Sequence, residues 1–173
     1  MANFITSQAS RPLQMSNATT SVLLDVLVIA GCDLAVTPWE QQLVYWLAQH
    51  DQSRSGLGCV GFDIGDLGWI ATELDEQKRF VLRMIDAALA RAGWDRLPFS
   101  PGEDRLRPAL ERLRELVVEV DHVAAPGTWV PSELPPHGSC EVHRVYLHET
   151  GCIICNDAPI DAPAAIAPHR SPT

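Results

Sequence analysis

Cys140-Glu141-Val142-His143 and Cys152-Ile153-Ile154-Cys155, separated by Arg144 to Gly151, are two close pairs of metal-ligating residues. Thiolate and imidazole are the ligands that a borderline-soft, tetrahedral zinc ion takes, and a two-residue gap lets one tight turn present both members of a pair to a single ion. Four protein ligands close the coordination sphere and leave no position for an activated water. The role expected of the metal is therefore structural. The architecture expected is mainly α, a small helical bundle with a C-terminal zinc-stabilised hairpin module.

Within that module, Cys140 to His143 forms one knuckle, Arg144 to Glu149 has strand character, and Gly151 frees the backbone for the second knuckle, Cys152 to Cys155. The paired knuckles, and only these, over about sixteen residues, resemble the zinc-ribbon and treble-clef class of small zinc modules. His148 and His137 compete with His143 for the imidazole place. Alternation along the intervening strand points His148 away from the ion, and His137 lies outside the knuckle, so both rank below His143. A disulfide between two of the cysteines is the competing structural reading, and a reducing compartment disfavours it. Cys32 and Cys59 have no partner in spacing and read as small buried hydrophobes.

Upstream of the module the pattern is helical. Thr37-Pro38-Trp39-Glu40 is a capping box with proline at the first helical position, predicting a helix from Pro38 to about His50. Trp39, Leu43, Trp46 and Leu47 share one of its faces. A second helix is expected from about Leu74 to Ala92, with a wide apolar set and Gly93 as its stop. A third is expected from about Pro101 to Val120, opened by the capping pattern Ser100-Pro101-Gly102-Glu103. Its Leu106, Leu110, Leu113, Val117 and Val120 form one continuous seam. The run Ser21 to Ala30 is apolar except for Asp25, so it is a buried element, read as helix. Residues 51–72 carry Gly56, Gly58, Gly61, Gly65 and Gly68, and read as a long loop with a short strand.

These readings divide the chain into a flexible arm (1–19), a helical domain (20–123), a Pro/Gly linker (124–139) with Trp129 docking it on the bundle, the zinc module (140–157) and an unstructured Pro/Ala-rich tail (158–173). Ile29-Ala30-Gly31-Cys32 imitates a lipoprotein cleavage box. Asp25 interrupts the apolar run before it, and Arg11 is the one basic residue ahead of that run, so a signal sequence is not expected. About ten apolar residues are too few to cross a bilayer. Unpaired thiols in a zinc pattern fit a reducing compartment, which makes the cytoplasm the expected location.

A formal charge of −9 over 173 residues repels polyphosphate and anionic membranes and favours a neutral or basic partner. The arginines at 105, 107, 112 and 114 alternate with Glu103, Asp104, Glu111, Glu115 and Glu119, which makes a salt-bridged face instead of a phosphate-binding stripe. Gly61 to Trp69 is the most site-like loop: Asp63 and Asp66 are set among glycines to attract a basic partner, and Trp69 offers a contact anchor. Turn capping is the plainer role for those aspartates. The chain contains no glycine-rich phosphate loop, G-x-S-x-G elbow or H-E-x-x-H motif. The function expected is a zinc-containing cytosolic interaction or regulatory protein, of bacterial immunity or adaptor type, with a protein partner. An enzyme with an unrecognised site is the alternative, ahead of a nucleic-acid-binding zinc protein.

Overall fold

Ser16 ends one element and begins the next: it closes a strand, and its hydroxyl accepts from the Thr19 N–H at 3.2 Å to cap a helix. The computed structural model of the chain describes residues 2–7, 11–52, 56–121 and 138–156. Its elements are β1 (Ala2–Ile5), β2 (Leu13–Ser16), α1 (Asn17–Leu34), α2 (Pro38–Ala48), β3 (Asp51–Gln52), β4 (Gly58–Cys59), α3 (Leu74–Leu89), α4 (Glu103–Val118) and α5 (Ile153–Asn156), with single 3-10 turns at Ile64–Asp66, Ala71–Glu73 and Trp94–Arg96.

The molecule is built around α1. Leu23 through Gly31 are all buried, because α2, α3 and α4 surround the helix. A helix covered on every side shows no amphipathic period, which is why the run from Ser21 to Ala30 is featureless in sequence. It proves to be an 18-residue helix, long and apolar enough by length and composition to cross a membrane, a property that core helices and signal sequences share. Gly31 is where the packing is closest. A Cβ there would overlap a Val44 methyl on α2 and lie 3.0 Å from the Met84 sulfur on α3.

α2 begins as its capping box requires: Thr37 Oγ1 accepts from the Glu40 N–H at 3.3 Å, while the Glu40 carboxylate accepts from the Thr37 and Val36 N–H groups at 2.9 and 2.7 Å. α3 stops at Leu89, short of Ala92. Arg91, not Gly93, first turns left-handed (φ 61°), and Ala92 N–H bonds back to the Ala87 carbonyl at 3.0 Å. α4 starts at Glu103, later than expected. The Gly102 carbonyl, not the Ser100 side chain, organises its first turn by accepting from the Arg105 and Leu106 N–H groups. Leu106, Leu110, Leu113 and Val117 line its buried seam, and Pro108 sits within the helix.

Two expectations are overturned. Residues 1–19 are not simply an arm: β1 and β2 pair antiparallel, with Ala2 opposite Ser16 and Ile5 opposite Leu13. Leu13 and Met15 turn inward and Gln14 and Ser16 outward, an alternation that four residues state only faintly. β1 is then tied to the long loop, where Thr6 N–H donates to the Phe62 carbonyl and Ile64 N–H to the Thr6 carbonyl, at 3.0 and 2.8 Å. The described part of the zinc module, 140–156, is likewise not a separate unit. Val145, Cys152, Ile153 and Ile154 are buried in the same hydrophobic cluster as the four long helices. Trp129, His137, most of the linker and the tail from 158 on lie outside the described residues.

Candidate metal centre

Cys140 and His143 are brought together by a tight turn. The Cys140 carbonyl accepts from the Arg144 N–H at 2.8 Å, and the Cys140 N–H donates to the Val145 carbonyl at 2.8 Å, closing the turn at its base. Arg144 is left-handed there, with φ 54°. Within the turn the His143 N–H points at the Cys140 sulfur, 3.5 Å away. The second pair repeats this: Cys155 N–H lies 3.5 Å from the Cys152 sulfur, at the start of α5. Leu147 N–H to the Gly138 carbonyl at 2.9 Å, and a turn in which His148 and Gly151 exchange both backbone hydrogen bonds at 3.0 and 2.9 Å, fold the two pairs onto each other. These contacts are isolated bridges, not a continuous ladder.

The four candidate ligand atoms lie within 4.8 Å of one another. His143 Nδ1 is 3.7, 3.5 and 3.3 Å from the sulfurs of Cys140, Cys152 and Cys155, and Cys140 Sγ is 3.9 Å from Cys155 Sγ. A tetrahedral ion with metal–sulfur bonds of about 2.3 Å and metal–nitrogen bonds of about 2.0–2.1 Å separates its ligand atoms by about 3.5–3.8 Å. The four spacings of 3.3–3.9 Å lie close to that polyhedron's, so the cluster is placed to hold one metal ion. His143 supplies the imidazole. His148 is buried outside the cluster, where its Nδ1 meets Thr150 Oγ1 at 3.3 Å.

The electrostatics of the four are unequal. Burial opposes ionisation of Cys140, but the backbone N–H groups of His143 and Val142 and the neighbouring thiols together hold its pKa below the ordinary thiol value. Cys152 is pushed up to about 12, by burial first and then by the two cysteines beside it. Burial and the nearby Arg96 charge lower the His143 pKa, favouring the neutral imidazole that a metal needs.

The knuckle is docked on the far end of α1. Tyr146 N–H donates to the Cys32 sulfur at 3.3 Å, and the Arg96 guanidinium reaches the His143 carbonyl at 3.2 Å. Burial pushes the Cys32 thiol up to about 12, so it stays a packed, protonated group. Cys59 is also buried, its sulfur 3.7 Å from Asp51 Oδ1.

In the loop read as site-like, Asp63 acts as a cap. One carboxylate oxygen accepts from the Gly65 N–H at 2.7 Å and the other from the Thr6 hydroxyl at 2.5 Å. Trp69 is 3% exposed, stacks on Trp39 at 5.8 Å and donates its indole N–H to the Ile64 carbonyl, so it is a core residue and not a contact anchor. Asp66 is exposed. A cleft of about 300 Å³ lies between the start of α2 and Glu73, Glu76 and Gln77. Its polar groups already have partners: Glu40 in the capping box and Gln77 on the Ile70 N–H at 2.8 Å.

No family model matches the chain, and neither the curated proteins nor the solved structures give a match.

Proposed function

We propose that the chain holds one structural zinc ion through Cys140, His143, Cys152 and Cys155, and acts as an interaction or regulatory protein of the cytoplasm. The observation that carries the reading is the convergence of three sulfurs and one imidazole nitrogen at tetrahedral spacing. Zinc suits this mixed, closed set because it tolerates both ligand types, prefers four-coordination and has no redox chemistry to protect. One ligand pair on a backbone knuckle and the other at the start of a short helix, with bridges between them, supports the treble-clef-like version of the module.

A full ligand set points to a scaffold, so binding is the function proposed. Its tip is the surface proposed to meet a partner: Val142 is 75% exposed beside an exposed Glu141, on a turn that the metal would rigidify. The charge of −9 favours a basic protein partner, as an immunity- or adaptor-type protein of a bacterium would meet. Elemental analysis after purification under reducing conditions should give one zinc per chain. Purification without metal, with the three cysteines open to thiol reagents, would remove the reading. Affinity capture with wild type and with Val142→Glu, both zinc-loaded, tests the surface, and equal partner recovery would place the contact elsewhere.

A further inference from the structure

Arg96 is a cation with a mostly covered side chain, and its surroundings account for it only in part. Its side chain is 10% exposed, and it pairs with Asp33, whose side chain is half-exposed at the end of α1. Holding a guanidinium out of water is costly unless opposite charge surrounds it. The turn beneath it is shaped to admit it: Gly93 is left-handed at φ 72°, and a Cβ there would overlap both the guanidinium and Ile29. From this seat Arg96 donates to the carbonyl of His143, a ligand, at 3.2 Å. Three thiolates, a neutral imidazole and a divalent ion leave one negative charge in excess.

We propose that Arg96 is the positioning residue of the metal centre: it offsets the excess negative charge of the loaded cluster and fixes the His143 knuckle against α1. The inference rests on the zinc reading above. It explains why a cation is mostly covered at this point, and why the Trp94–Arg96 turn approaches a segment 47 residues away. Partners that orient ligands and balance charge in this way set metal affinity; losing one typically weakens binding about 10–100-fold.

The test measures zinc affinity of the full chain by competition with a chromophoric chelator, and the visible spectrum of the cobalt-substituted protein, whose sulfur-to-cobalt bands report the ligand geometry. Arg96→Gln should weaken zinc binding about 10–100-fold and shift the cobalt bands. Arg96→Lys should recover much of the loss by restoring the charge. Asp33→Asn removes the competing carboxylate but leaves the guanidinium, and should bind zinc as tightly as wild type or more so. Wild-type affinity in Arg96→Gln, or weakened binding in Asp33→Asn, overturns the proposal. Where Arg96→Gln does not fold, Asp33→Asn decides alone. A wild-type chain that takes up neither zinc nor cobalt instead removes the metal reading itself.

Discussion

At φ 54°, Arg144 occupies backbone space that a side chain makes unfavourable, and it does so because the turn joining Cys140 to His143 must reverse immediately after the second ligand. The left-handed region costs a non-glycine residue about 1–2 kcal/mol. Arg144→Gly should therefore stabilise the metal-loaded protein by about 1 kcal/mol, and Arg144→Val should destabilise it by about as much or more, both read from denaturant midpoints. The thiols carry a second prediction. A thiol raised to about 12, as Cys152 is, keeps its proton at neutral pH in the metal-free protein, so binding must expel that proton. Acidification then opposes binding: zinc affinity should fall as pH drops from 8 to 6, by about tenfold per pH unit for each proton displaced, and zinc addition to weakly buffered protein should release acid. Pairs of cysteine and histidine two residues apart announce the ligands because the geometry is local. The sequence does not announce Arg96, which reaches them through tertiary packing alone.

Helix α1 depends on the absence of a side chain at one of its positions. Gly31→Ala would gain helix propensity of about 1 kcal/mol, but its methyl would collide with Val44, and overpacking costs about 1–3 kcal/mol. Collision should win, with a net loss of up to about 2 kcal/mol by thermal or chemical denaturation, and Val44→Ala should offset part of it in the double variant. Thr37→Ala should cost about 1 kcal/mol through the cap of α2. Capping and seam patterns made α2, α3 and α4 legible to within a few residues of their ends, because each depends on neighbours in sequence. The ends themselves were less so. Arg91 turns left-handed ahead of Gly93, and the Gly102 carbonyl takes the place of the Ser100 side chain. The β1–β2 hairpin was invisible for a related reason: strands of four residues give alternation too little length to stand out from a polar background.

Across the whole molecule, spacing and composition imply a helical body with an attached module, whereas the hydrophobic cluster runs through both without a break. No local signal records that Ile153 and Ile154 join the hydrophobic cluster of the helices and not a small core of their own. The difference is measurable. If zinc binds only the folded chain, it adds stability to the entire cooperative unit. Chelation, or Cys152→Ser, should then lower a single melting transition and reduce the helical signal along with it. A separate low-temperature step with helicity intact would restore the two-part description.

The contact between Tyr146 and Cys32 joins residues 114 positions apart. A ribosome adding about 5–20 residues per second needs roughly 6–23 s to travel that distance, during which the end of α1 waits for the segment that will cover it. The nascent chain thus carries an unfinished apolar helix end through most of its synthesis, and the last described segment to emerge completes it. Chains released before that segment emerges should leave the end of α1 uncovered and open to chaperones and proteases.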